Sequence, residues 1–330
     1  MMVPKEDLMV LLNEFYLSGV RILTVRVPLP EVELYRIELR KEPVVYLKGV
    51  EEYREVYSYE ALKSEQEVAG EMPDEREYIL VLRSSGVLKP ENYAQVCEEL
   101  LRLSDRDLMR GDRPLYVGFD TSALVSRFPV VMPEINCGVC LNSGVIQELH
   151  AKFVESKIGE HEARLLEKRG LREVFNQPHM RVRKFRLGAV EYRKLKRHRY
   201  AEEIEGKRGD LGIIEGYCEF QKSRGVDLVV ISEDGNFVEV ANDRRIKSLH
   251  LIPARGVPER VRTGWDEVVE LLYVTAVVYG ELRIRGAVLR GVWRGKTGED
   301  WNSERLRLEF RDRRLEERMQ GNLRILRECS

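Results

Sequence analysis

No run of about 18 or more apolar residues, the length a membrane-spanning helix needs, occurs in this 330-residue chain. The opening residues 1–14 mix acid with base and have no apolar signal-peptide core, so a cytoplasmic protein with no membrane partner is expected. Cysteine is scarce. Cys97, Cys137, Cys140, Cys218 and Cys329 are an odd number spread over a long chain, which argues against a secreted disulfide framework. Cys137 and Cys140 have the spacing of half a zinc ribbon, but no second pair follows. Two buried thiols, or zinc shared between two copies of the chain, are the readings left open. His150, His161, His179, His198 and His250 show no metalloprotease spacing, and there is no Walker-type glycine loop, which disfavours an ATP-driven motor. There is also no internal repeat and no low-complexity tract.

What is present is charge. Asp, Glu, Lys and Arg make up 34% of the chain, whereas Gln occurs six times and Asn nine, a balance found in heat-adapted proteins with surface ion-pair networks. The apolar content of 43% is that of a folded chain. A net charge of −1 conceals an uneven distribution. Residues 51–77 hold ten acids and three bases, while residues 181–199 hold nine Lys or Arg and one acid, Glu191. Charge acts locally, so the first stretch repels phosphate and the second attracts it.

Apolar spacing predicts a helix over 4–18, then strands over 21–27, 32–39, 43–48 and 77–83. Pro90 sits where a first-turn proline belongs, opening a helix over 91–103, and the polar stretch 104–113 reads as a linker. From Leu115 the pattern becomes βα alternation: a strand over 115–119, helices over 143–156 and 210–223, and strands over 226–232 and 249–252. Such alternation predicts a parallel sheet covered by helices, with its active site beyond the carboxyl ends of the strands. A helix over 265–279, runs over 281–285 and 305–310, and a charged terminal helix complete the chain.

Four acids stand at chemically suggestive places. Asp120 ends the first parallel strand in Gly118-Phe119-Asp120-Thr121-Ser122, and Glu148 lies among the apolar Val145, Ile146 and Leu149 of a helix. Asp210 opens a helix in Gly209-Asp210-Leu211-Gly212, and Asp234 follows Leu228–Ile231 in Ser232-Glu233-Asp234-Gly235. Each also has an ordinary reading: helix cap, solvated margin residue, dipole-favoured first-turn acid and turn aspartate.

In their order, from strand-end Asp through helical Glu and helix-start Asp to Ser-x-Asp-x-x-Phe after a strand, these residues resemble the PIN-domain nucleases over about residues 115–253. The resemblance implies an α/β fold with a doubly wound parallel sheet of about five strands at 113–256. It would lie between an N-terminal α+β domain at 1–112 and a small C-terminal α+β extension at 257–330. It makes Asp120, Glu148, Asp210 and Asp234 the family's acidic positions and Ser122 its supporting hydroxyl. Carboxylates converging on one crevice repel each other unless a cation joins them, and hard Mg²⁺ or Mn²⁺ prefers oxygen ligands. Asp120 and Asp234 are then direct metal ligands, and Glu148 and Asp210 are ligands or water-positioning groups; Glu215, Glu233 and Asp243 lie nearby in sequence.

The departure from small PIN proteins is the long basic insertion at 157–209. In it Arg181, Arg183, Lys184, Arg186, Arg193, Lys194, Lys196, Arg197 and Arg199 interleave with Phe185, Tyr192 and Tyr200. This pattern suits holding phosphates and stacking unpaired bases, and equally suits a solvated helix whose aromatics pack inward. The expectation is a Mg²⁺- or Mn²⁺-dependent ribonuclease acting on single-stranded or structured RNA, with the flanking regions selecting substrate or building a homodimer. An RNA-binding scaffold for RNA processing or ribosome assembly, and a structure-specific DNA nuclease, are the alternatives.

Overall fold

A computed structural model describes residues 1–154, 157–197 and 200–329. The chain forms two compact units, each assembled from segments far apart in sequence. Among the described residues no helix is long and apolar enough to cross a membrane.

The first unit comprises Met1–Leu88, Ser156–Arg183 and Gly256–Ser330. Its frame is an eight-stranded antiparallel sheet in the order Met2–Pro4, Arg305–Phe310, Ala287–Arg290, Glu281–Ile284, Ile22–Pro28, Glu31–Glu38, Val44–Leu47, Arg260–Arg262. The helix Trp265–Tyr279 packs against it with every residue from Leu271 to Tyr279 buried. A helix apolar on all sides belongs inside a domain, and this one is the centre of the core.

Two expectations change here. The N-terminal and C-terminal regions share one sheet instead of forming separate domains: Val3 pairs with Leu306, and Val45 pairs with Val261. Pairing between distant strands depends on backbone hydrogen bonds across segments, which periodicity within a segment does not report. Residues 77–83, expected as a strand, lie in the helix Glu75–Ser84. Asp74 caps it, accepting the N–H of Arg76 at 2.8 Å and of Glu77 at 3.3 Å, and Tyr78, Val81 and Leu82 form a buried stripe at helical spacing.

The second unit, Lys89–Glu155 and Lys184–Arg255, holds a five-stranded sheet in the order Ala201–Ile204, Gly138–Asn142, Leu115–Phe119, Asp227–Ser232, Lys247–His250. Every neighbouring pair is parallel. The chain is thus mixed α/β. The order runs outward from Leu115–Phe119 in one direction and then resumes on its other side with Asp227–Ser232, so strand order reverses between these two. In such sheets the crevice at the carboxyl ends opens at that reversal. The helix Tyr93–Ser104, expected in an N-terminal domain, belongs to this unit; the Asn92 amide beside it donates to His250 O at 2.7 Å and accepts Ile252 N–H at 2.9 Å.

Candidate active site at the parallel-sheet edge

Asp120 follows the strand Leu115–Phe119 and is only 4% exposed. Its Oδ1 accepts Thr121 N–H at 2.5 Å, and its Oδ2 accepts Ser122 N–H at 3.3 Å and the hydroxyls of Ser122 at 2.7 Å and Ser232 at 2.8 Å. It therefore caps the short helix Thr121–Val125 while facing the end of the neighbouring strand. Burial raises its pKa, and the two serine hydroxyls and two backbone N–H groups offset part of that rise.

The hydroxyls tie the two strand ends together. Ser232, fully buried at the end of Asp227–Ser232, also accepts Asp234 N–H at 2.9 Å, and Ser122 Oγ accepts Glu233 N–H at 2.9 Å. Asp234 is exposed and caps the helix Gly235–Asp243, its Oδ1 accepting Asn236 N–H at 2.9 Å and Phe237 N–H at 3.4 Å. Glu148 is half-buried on the helix Ser143–Val154 and pairs with Lys152 one turn later. Asp210 opens the helix Asp210–Arg224 and is exposed.

Asp210 lies within the electrostatic reach of the other three acids. The pKa of Asp210 is raised first by partial burial and then by the charges of Asp120, Asp234 and Glu148, against that of Lys152. Like charges around a carboxyl group disfavour its ionised form, so the other three acids add to the effect of burial at Asp210. Among the described residues no three of these four acids bring carboxylate oxygens within 4.8 Å of one another.

Asn142, which sequence reasoning missed, organises two of the four. It is fully buried at the end of Gly138–Asn142, the strand next to Leu115–Phe119. Its Oδ1 accepts Gly144 N–H at 2.8 Å in the helix bearing Glu148, and its Nδ2 donates to Ile213 O at 2.9 Å in the helix that Asp210 opens. Ser143 Oγ accepts Gly206 N–H at 3.0 Å, holding the loop before Asp210 against the same strand end. Gly206 lies so close that a Cβ there would meet Asn142 Oδ1 at 2.0 Å. The signal was a polar residue ending an apolar strand just before a helix, the same grammar that marks Asp120.

The basic stretch is not a uniform phosphate-binding face. Arg183 is completely buried, donating to Pro178 O at 3.0 Å, to Val278 O at 2.9 Å and to Glu71 at 2.7 Å. Arg186 is buried with its guanidinium 4.5 Å from the Phe153 ring centroid, and Tyr192 is buried with its hydroxyl donating to Glu203 at 2.9 Å. Lys194 pairs with Glu191 and Lys196 with Glu203, while Arg193 lies 3.0 Å from His150. Arg181 and Arg197 are exposed, and Lys184 is half-buried. Arg199 lies outside the described residues. Of the helix Met180–Lys196, Arg183 and Arg186 are thus core and not surface cations, and the helix packs at Gly188 against Leu124, Val125 and Leu149.

Cys140 is buried within its strand and Cys137 immediately precedes it. Burial pushes the Cys137 thiol up to about 11 and the Cys140 thiol higher, which favours the protonated form over the thiolate that zinc requires. One other cluster was unforeseen: in the first unit Glu71, Glu162 and His179 bring ligand atoms within 4.8 Å of one another. Glu71 there is already held by Arg183 at 2.7 Å, Met180 N–H at 2.9 Å and His179 Nδ1 at 2.8 Å, so its charge has a protein partner.

Compared with known protein families the chain matches none, and no curated protein matches it.

Proposed function

We propose that the parallel-sheet unit is a metal-dependent nuclease with a PIN-like, doubly wound arrangement, acting on RNA in the cytoplasm. The observation that carries this reading is that Asp120, Glu148, Asp210 and Asp234 all follow carboxyl ends of parallel strands around the reversal in strand order, with the charges of the other three acting on Asp210. Structural caps explain Asp120 and Asp234 singly, and Lys152 pairs with Glu148; none of these explains why four acids gather at one edge.

The donor set fits a hard divalent cation. Every candidate ligand is a carboxylate oxygen, and the pKa of Asp210 is raised by burial first and then by the charges of the other three acids. Mg²⁺ or Mn²⁺ held by the four acids, once drawn closer together, would supply Lewis acidity toward a phosphodiester and an attacking water. The chain's own residues divide the remaining work. The hydroxyls of Ser122 and Ser232 fix the Asp120 carboxylate and favour its ionised form against burial. Asn142 sets the helices carrying Glu148 and Asp210, and Asp210, its pKa raised by burial and by the neighbouring acids, is suited to orient and deprotonate water.

The test is cleavage of labelled RNA in Mn²⁺ by protein from a nuclease-deficient host. Asp120→Asn is expected to abolish cleavage while retaining RNA binding. Undiminished cleavage by that variant removes the site, and binding without turnover by the wild type makes the unit a scaffold. Preference for branched DNA over RNA moves the substrate to DNA.

A further inference from the structure

Within the first unit, a groove of about 550 Å³ on the antiparallel sheet gathers four guanidiniums, Arg26, Arg283, Arg285 and Arg311, with two carboxylates, Glu31 and Glu33. Glu33 is already held by Arg36. The strand register places Arg26 directly opposite Arg283 on one side, a like-charge cross-strand pair, and opposite Glu33, the acid engaged by Arg36, on the other. Arg283 is partly compensated, by Glu281 at 3.1 Å and by Gly170 O at 3.2 Å. Arg26, Arg285 and Arg311 are exposed and have no carboxylate within 4.0 Å among the described residues.

We infer that this groove binds the phosphodiester backbone of a single-stranded RNA, an occupant whose choice rests on the nuclease reading above. Guanidiniums match phosphate oxygens in a two-pronged geometry and stay charged at every accessible pH. The cations come from separate elements: Arg26 from the strand Ile22–Pro28, Arg285 from the turn after Glu281–Ile284, and Arg311 from the end of Arg305–Phe310. The backbone N–H of Arg311 donates to Gly286 O at 2.8 Å, which keeps the last two side by side. Cations so distributed suit successive phosphates of one strand better than a single free phosphate. The rest of the lining is Ile22, Thr24, Val27, Val32 and Ile284, with no aromatic ring on which a base would stack. Recognition is therefore of backbone, indifferent to sequence. Neither the low net charge of the chain nor the basic run at 181–199 pointed to this face, because its cations are scattered over residues 26–311 and only the sheet brings them together.

The experiment is fluorescence anisotropy of a labelled single-stranded RNA oligomer in EDTA, which silences cleavage, across a salt series. The triple variant Arg26→Gln, Arg285→Gln, Arg311→Gln is expected to bind about tenfold or more weakly at moderate salt, with the log–log salt slope reduced by about 2, as expected for three lost single-strand phosphate contacts. Because the three side chains are exposed, the variant should melt like wild type; the matching Arg→Lys triple, which keeps the charge, should recover part of the affinity. Unchanged affinity and slope in the Gln triple overturn the proposal. So does binding of polyglutamate in preference to RNA by the wild type, which would make the groove a site for an acidic protein segment. Failure of the nuclease reading looks different: RNA binding through the groove would persist with no turnover in Mn²⁺, whereas failure of the groove leaves turnover and affinity intact in the triple variant.

Discussion

Ser232 Oγ donates to Asp120 Oδ2 at 2.8 Å across 112 residues of sequence, and the same oxygen accepts the backbone N–H of Asp234 at 2.9 Å. One buried hydroxyl therefore joins the two strand-end acids of the parallel sheet. Ser232→Ala removes a donor from a buried carboxylate and strands a backbone N–H, and a cost of about 1–3 kcal/mol is expected in urea denaturation. In cleavage assays the variant should need more Mn²⁺ for half-maximal rate, since Asp120 is then less firmly held and more readily protonated. An unchanged unfolding midpoint and metal requirement would make the bond incidental.

Gly206→Ala places a methyl group where Asn142 Oδ1 sits, at 2.0 Å, so the loop or the amide must move. Asp210 lies four residues beyond, and the expected result is a folded protein, destabilised by about 1–3 kcal/mol as for other overpacked sites, with cleavage lost disproportionately. Asn142→Asp tests the same junction, since it replaces the donor to Ile213 O by an acceptor. Circular dichroism melts set beside turnover separate misplacement of Asp210 from unfolding.

The ion pair of Arg127 with Glu191, at 2.8 Å and nearly free of solvent, is structural. Burial raises the Glu191 pKa, but the nearby charges of Arg127 and then Lys194 outweigh it, and the net shift is downward. Its contribution to stability is thus fully present above the ordinary glutamate pKa and is lost as pH falls through the lower folded value. Arg127→Met should cost about 3–5 kcal/mol by leaving a buried carboxylate unpaired, and Arg127→Met with Glu191→Leu should recover much of it. Additive losses in that double-mutant cycle would contradict the pairing.

His179 carries the opposite pH signature. Its hydrogen bond to Glu71 raises its pKa above 6.5; partial burial opposes the rise, and the charges of Glu71 and Glu162 reinforce it against that of Arg183. A raised folded pKa stabilises the protein below the unfolded value, and that stability is lost as pH rises through the folded one. The thermal midpoint of wild type should therefore decline across the range just above pH 6.5 relative to His179→Gln, which should be flatter there. Parallel curves would show that the imidazole is not the titrating group.

How much of this was legible in the chain depends on where each signal resides. The helix Trp265–Tyr279 and the strands Leu115–Phe119 and Arg305–Phe310 emerged at their observed bounds, because period and length there speak unambiguously. Glu75–Ser84 was misread, since Tyr-Ile-Leu-Val-Leu is a short apolar run that serves strand and buried helix alike, and the deciding cap at Asp74 was overlooked. Gly138–Asn142 was hidden by attention to its cysteines, and Ala201–Ile204, a four-residue edge strand bearing two glutamates, has no apolar pattern to find. The places of Asp120 and Asp234 after strands and of Asp210 at a helix start are legible from strand-end and helix-start grammar, and that of Glu148 from its apolar helical neighbours. Asn142 carries the same grammar, but neither its role as a tie between two helices nor the arginine groove is legible, because each is defined by contacts between segments remote in sequence.

The central claim is that Asp120, Glu148, Asp210 and Asp234 share a divalent cation, and calorimetric titration of the intact protein with Mn²⁺ tests it most directly. Binding that Mg²⁺ competes away, that is lost or strongly weakened in both Asp120→Asn and Asp210→Asn, and that persists in Glu162→Gln is the result expected. Mn²⁺ binding unaffected by the two aspartate substitutions, or no binding by the wild type, would contradict the account.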